Sequence, residues 1–187
     1  MIRIDWKHPD AGTLLAIEPT PAEITKHSLS LSTGYNEPEN AHLMGHANAI
    51  SPEEVVDAYT DSIAAGMRAF LLFIDGAFAG DADLRNFRGN TAEFAFMIAA
   101  PTAQGKGLGT AFAAMIHAFG FRTLDLQRIY ASVVPQNTAS RRVFEKLGYV
   151  VDNSPAGREY AEEPGDIVLV IDRAGFVAPA GIAIGVR

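Results

Sequence analysis

Between residues 93 and 122 an alternating apolar stretch, Glu93 to Ala99, leads through Gln104-Gly105-Lys106-Gly107-Leu108-Gly109-Thr110 into a segment with apolar residues at Leu108, Phe112, Met115, Ile116 and Phe119. That spacing is one face of a helix, so the glycines mark a strand-to-helix turn. Such a turn aims the unpaired N–H groups and positive dipole end of the helix at one point. Glycines let an anion approach the backbone and Lys106 adds charge, so phosphate or pyrophosphate is the natural occupant. Two familiar phosphate-binding patterns fit poorly. A P-loop needs Ser or Thr after Gly-Lys, where this chain has Gly107. The dinucleotide fingerprint needs a sixth-position Gly, which counted from Gly105 is Thr110, and a hairpin precedes the turn instead of an opening βαβ unit. On the turn alone, a glycine-rich connection that binds nothing stays open as the alternative.

The remaining chain gives the turn a context. Leu14 to Pro19 reads as a short strand running into Thr20-Pro21-Ala22-Glu23, a capping box that opens a helix to about Thr33, with Gly34 as its stop. Ser51-Pro52-Glu53-Glu54 repeats the pattern for a helix to about Ala65, closed by Gly66. Tyr35 to Ile50, between them, reads as a polar loop. Strands follow at Arg68 to Asp75 and Ala77 to Leu84 around the hairpin signal Asp75-Gly76, then at Glu93 to Ala99. Arg128 to Val134 reads as a strand and Asn137 to Leu147 as a helix stopped by Gly148; Tyr149 to Asp152 and Asp166 to Asp172 are the last strands. This order describes one α/β (α+β) domain over residues 1–187, a mixed sheet with helices on its faces. Ala174 to Arg187 is an apolar tail without clear periodicity, expected to pack on the domain or on a partner subunit.

Composition narrows the chemistry. The 187 residues include no cysteine, which excludes disulfides, thiolate zinc sites and a thiol nucleophile. With 22 acidic against 15 basic residues the formal charge is −7, against a nucleic-acid backbone binder and in favour of cationic or small neutral partners. The charged start MIRIDWKHPD is no export signal and no window is apolar enough for a membrane span, so a cytoplasmic location is expected. His42 and His46 have metal-pair spacing, but no Glu follows His42 and no third ligand is evident, so no metal site is expected.

Gln104-Gly105-Lys106-Gly107-Leu108-Gly109 resembles the Gln/Arg-x-x-Gly-x-Gly/Ala signature with which GNAT superfamily N-acetyltransferases grip the pyrophosphate of acetyl-CoA. A second block, Asn137-Thr138-Ala139-Ser140 through Glu145-Lys146-Leu147-Gly148-Tyr149, resembles that family's Asn-x-x-Ser…Glu-Lys-x-Gly-Phe/Tyr segment. The wording is closest to the branch of ribosomal-protein alanine N-acetyltransferases. The resemblance covers about Phe70 to Val151 and implies a mostly antiparallel sheet with one splayed parallel pair, Glu93 to Ala99 beside Arg128 to Val134. It further implies acetyl-CoA lying in the splay and a primary amine as acceptor, with homodimerisation a family habit.

By that resemblance the cofactor contacts are Gln104, Gly105, Lys106, Gly107, Leu108, Gly109, Thr110, Asn137 and Ser140. An oxyanion-stabilising N–H falls at Ile98, or at Ala99 in the alternative register. Glu93 matches a glutamate that accepts the amine's proton, its bland alternative being a solvated edge residue. Ser140 matches a serine proposed to protonate the departing thiolate, its alternative being an ordinary first-turn residue behind an Asn137 N-cap. Phe144 occupies the position where many members carry a general-acid tyrosine. The Tyr35 to Ile50 loop, with Glu37, Glu39, His42 and His46, falls where the family builds its acceptor pocket, while Phe94, Phe96 and Phe112 read as core. A non-catalytic acyl-CoA-binding module and a Rossmann-type nucleotide binder are the competing readings.

Overall fold

Both capping boxes form. Thr20 Oγ1 accepts from the Glu23 N–H at 3.2 Å while Glu23 Oε2 accepts from the Thr20 N–H at 2.8 Å, and Ser51 and Glu54 do the same at 3.2 and 2.7 Å. With Pro at the first helical position, these caps launch α1 (Pro21–Asn36) and α3 (Pro52–Ala64). The computed structural model describes residues 1–43, 48–99 and 107–187. The short α2 (Pro38–Leu43) lies within the stretch read from sequence as a loop, its first amides held by the Glu37 carboxylate at 2.9 and 3.3 Å.

Nine strands make one sheet: β1 (Ile2–His8), β2 (Gly12–Ile17), β3 (Arg68–Ile74), β4 (Ala77–Arg88), β5 (Thr91–Ile98), β6 (Arg128–Val133), β7 (Val150–Val151), β8 (Ile167–Asp172) and β9 (Ala183–Val186). Their order is β7-β8-β6-β5-β4-β3-β2-β1-β9, antiparallel throughout except for β5 beside β6. This is the mixed, mostly antiparallel sheet that the resemblance implied. On one face α4 (Leu108–Arg122) and α5 (Thr138–Leu147) cover the larger core, which includes Phe70, Phe94, Phe112 and Phe119. On the other, α1 and α3 cover a second core around Ile24, Leu31, Val55 and Leu71. The four-residue helix α6 (Pro155–Arg158) sits in the connection from β7 to β8. No described helix is long and apolar enough to cross a membrane.

Three sequence readings change. β1 and β9 were not expected as strands: β1 pairs with β2, and β9, from the apolar tail, pairs antiparallel with β1 as an edge strand. The tail therefore packs on its own domain, with Phe176 and Ile182 against the core. Gly34 does not stop α1, which continues to Asn36. A Cβ at Gly34 would lie 2.8 Å from Ala99 Cβ and 3.0 Å from Met97 Cε, so the glycine serves close packing of α1 on the sheet. Gly66 and Gly148 do close their helices, and Gly148 is left-handed at φ 96°.

Candidate active site

The site starts where the only parallel pair of strands among the described residues comes apart. β5 and β6 are in register at Thr91–Arg128, Ala92–Ile129 and Glu93–Tyr130, and pair no further. β5 stays with β4 as far as Ile98, and β6 stays with β8 as far as Val133. The opening between them is a cleft with a cavity on each side, and Phe96, Met97, Asn137 and Ser140 line both cavities.

On the α4/α5 side the cavity is about 340 Å³. Gly107, Leu108, Gly109 and Thr110 line it together with Ile98, Asn137 and Ser140, so the structure brings these sequence-singled residues to one place. Gly107 is the N-cap of α4, left-handed at φ 79° and without a side chain to close the helix end. A Cβ on Gly109 would sit 3.1 Å from the Phe96 ring and 3.3 Å from Val143, so the glycine lets α4 approach β5 and α5 closely. Arg142 and Lys146 add positive charge to the wall. Gln104, Gly105 and Lys106, and His46 of the acceptor loop, lie outside the described residues. Ala99 does not line the cavity, and its N–H is taken by the Ala79 carbonyl at 2.8 Å, whereas Ile98 does line it. Asn137 caps α5, its Oδ1 accepting from the Ser140 N–H at 3.0 Å.

On the other side a cavity of about 260 Å³ is lined by charge that sequence reasoning had not singled out: Asp81, Asp83 and Arg85 from β4, with Glu162 from the β7–β8 connection. Alternation along β4 puts Asp81, Asp83 and Arg85 on one face, opposite Met97, Ala95 and Glu93 of β5. Asp81 Oδ2 accepts from the hydroxyls of Tyr35 (2.6 Å) on α1 and Tyr59 (2.5 Å) on α3. Burial raises the Asp81 pKa against these donors, and both phenols are pushed well above the ordinary tyrosine value, chiefly by burial. Burial likewise lifts Asp83 to about 7, with Arg85 opposing the rise and Asp81, Glu93 and Glu162 adding to it. Burial would lower the Arg85 pKa, but Asp83, Glu93 and Glu162 outweigh it and hold the guanidinium charged. Glu162 is ion-paired to Arg85 and is raised by burial.

Glu93 is on the expected face but at the closed end of the cleft. Its side chain is 2% exposed, receives Arg85 at 3.3 Å and Asn86 at 2.6 Å, and lines neither cavity. It is therefore not a solvated edge glutamate; it fixes the guanidinium that reaches Asp83 and Glu162. Tyr35 lines the acidic cavity, while Glu39 lines the opposite one. Phe112 is core as expected, but Phe94 and Phe96 also face the acidic cavity.

The chain matches the acetyltransferase (GNAT) domain family over residues 6–150, and it belongs to that family. Among its relatives, spermidine N(1)-acetyltransferase of Escherichia coli is 36% identical over 87 residues, 46% of each chain. The chain thus spans about half the length of the curated relatives it matches. Mycobacterium smegmatis RimJ in complex with CoA-disulfide superposes with a TM-score of 0.70 at 21% identity, covering 91% of this chain and 87% of that one. Spermidine N-acetyltransferase from Vibrio cholerae, in complex with CoA and spermine, gives 0.61 at 20% identity over 87% and 96%. An aminoglycoside acetyltransferase in complex with coenzyme A gives 0.71 at 17% identity, again over 87% and 96%.

Proposed function

We propose that the protein transfers an acetyl group from acetyl-CoA to a primary amine by direct attack in a ternary complex. The observation that carries this reading is one cleft with two unlike walls, a glycine-rich helix start with cations on one side and buried carboxylates on the other. Acetyl-CoA fits the first wall: the α4 amides and Lys146 meet the pyrophosphate, and the pantetheine lies along β5 where β6 has left it. The thioester carbonyl lies against the backbone at Ile98, which lines this wall, rather than at Ala99, which does not.

The amine enters from the acidic wall as an ammonium. Asp83, rather than Glu93, takes its first proton, being in the cavity and poised near neutral pH. The freed nitrogen lone pair attacks the thioester carbon, forming a C–N bond and an oxyanion. Collapse of the oxyanion breaks the C–S bond, and the second nitrogen proton passes by way of the Ser140 hydroxyl to the departing thiolate. The products are an acetamide and CoA thiol, with one proton left on Asp83.

Two measurements test this. Acetyl-CoA at a hundred times its dissociation constant adds about 2.7 kcal/mol, which for a chain of this size raises the melting temperature by roughly 5–10 °C. NAD and ATP leave the melting temperature unchanged. CoA release is read with a thiol reagent, free of background because the chain has no cysteine. Acetyl-CoA binding without thiol release across a broad amine panel would make the protein a non-catalytic module, and no melting shift would remove the cofactor assignment.

A further inference from the structure

Two carboxylate oxygens in the acidic cavity have nothing to bond to. Asp81, 4% exposed, gives Oδ2 to Tyr35 and Tyr59, and its Oδ1 has no hydrogen-bond partner. Asp83, with a side chain 15% exposed, also has a buried Oδ1 without a hydrogen bond, Arg85 Nε standing 3.8 Å away. A buried acceptor left unmet costs roughly 1–3 kcal/mol, so two on one strand face ask for donors from outside the chain. The surrounding charge asks for the same thing. Arg85 is the only cation among the described residues of this wall, and it already serves Glu93 and Glu162. Asp81, by contrast, has no cation bonded to it: its hydrogen-bond partners are phenols, which bring no positive charge, and Arg85 acts on it only as a smaller influence than those phenols.

Resting on the acetyltransferase reading, we propose that the acceptor carries two cationic nitrogens, the reacting amine at Asp83 and a second ammonium held by Asp81 Oδ1. The two side chains leave the same face of β4 two residues apart, so their Cα atoms are about 7 Å apart, and nitrogens separated by roughly three to five carbons span that gap. A flexible aliphatic diamine, or a polyamine containing such a segment, has this form. An N-terminal α-amine followed by a peptide bond brings only one charge and leaves Asp81 unmet. Tyr35 and Tyr59 act as positioning residues: by occupying Oδ2 from two different helices they fix the carboxylate and leave Oδ1 for the second ammonium.

The test compares kcat/KM for linear diamines of two to six methylenes with monoamines of equal length, in the native protein and in Asp81→Asn. A charge-assisted hydrogen bond makes the expected diamine preference at least about tenfold, peaking at intermediate length. In Asp81→Asn that preference disappears through a higher KM for diamines than for monoamines, whereas the change in kcat that follows from removing a charge beside Asp83 falls on both classes alike. Equal use of diamines and monoamines by the native protein, or a rise in KM in Asp81→Asn that falls equally on both, would overturn the proposal and leave the acetyltransferase reading standing. If Asp81→Asn fails to fold, the chain-length profile of the native protein and of Tyr59→Phe decides. Binding of acetyl-CoA with no turnover of any amine would instead remove the transferase reading itself, and this proposal with it.

Discussion

Two groups of polar side chains buried on opposite faces of one sheet are built to opposite rules. On the buried side of α4, His117 is 0% exposed; its Nδ1 donates to the Ala113 carbonyl at 2.6 Å, which leaves Nε2 to accept from the Tyr149 hydroxyl. Rings of Phe94, Phe121 and Phe176 surround it. Burial pulls the imidazole down to about 4, so it is neutral and fully bonded. Across the sheet, Asp81 and Asp83 each keep an oxygen unmet and a pKa raised by burial. Burial alone therefore does not mark a site. The distinction is whether the chain itself completes the bonding, because a group it leaves incomplete is waiting for something else.

The strongest way to break this comparison is Asp83→Asn. Loss of a general base lowers kcat by at least about a hundredfold, with the acetyl-CoA melting shift retained; unchanged kcat would remove Asp83 from the chemistry. Native kcat should also rise with pH until Asp83 ionises near 7, then level off. Ser140→Ala follows, with a loss of about tenfold in kcat and little change in acetyl-CoA affinity.

Stability against pH sharpens the contrast, because the two groups pull in opposite directions. The folded pKa of Asp83 is above the ordinary aspartate value of about 3.8, so its contribution is fully present below about 4 and is lost as pH rises to about 7. The folded pKa of His117 is below 6.5, so its contribution is lost as pH falls from 6.5 toward 4. Relative to the native protein, Asp83→Asn gains melting temperature as pH rises from 4 to 7, and His117→Phe gains it as pH falls from 6.5 to 4. Each swing corresponds to at most about 3–4 kcal/mol. Differences that do not vary with pH would mean that neither group is shifted.

Smaller effects come from uncoupling the satisfied pair. Tyr149→Phe leaves His117 Nε2 without a donor and costs about 1–3 kcal/mol, while His117→Phe with Tyr149→Phe recovers part of that loss. Asp81→Asn lowers the melting temperature little or raises it, since it removes a buried charge and keeps an oxygen for the two tyrosines. A drop as large as that of Tyr149→Phe would make Asp81 a structural residue.

Much of this was legible in the chain. The capping boxes, the Asp75-Gly76 hairpin and the helix after Gly107 follow from local chemistry, and local chemistry formed them. β9 was not legible, because its partner β1 is most of the chain away and pairing alone makes residues 183–186 a strand. Gly34 misled for a related reason: a helix-stop residue and a close-packing residue look alike until the neighbour is known. The cofactor side was read from a contiguous motif. The acidic side is assembled from α1, α3, β4 and the β7–β8 connection, and Glu93 lies on the same face but outside both cavities. One signal was present: Asp81, Asp83 and Arg85 alternate along a strand whose other face is apolar, and a central strand has no solvent to receive them.

The seam between β5 and β6 has a mechanical consequence. Among the described residues, three pairs, Thr91–Arg128 through Glu93–Tyr130, are the strand pairing that joins β7-β8-β6 to the other six strands. Beyond those pairs the two leaves of the sheet are joined by side-chain packing and not by strand hydrogen bonds. A bound pantetheine laid along the open part of the seam would act as the missing stitch. Amide exchange along β5 and β6 beyond those three pairs would then report occupancy directly, slowing when the leaves are bridged and quickening after CoA departs.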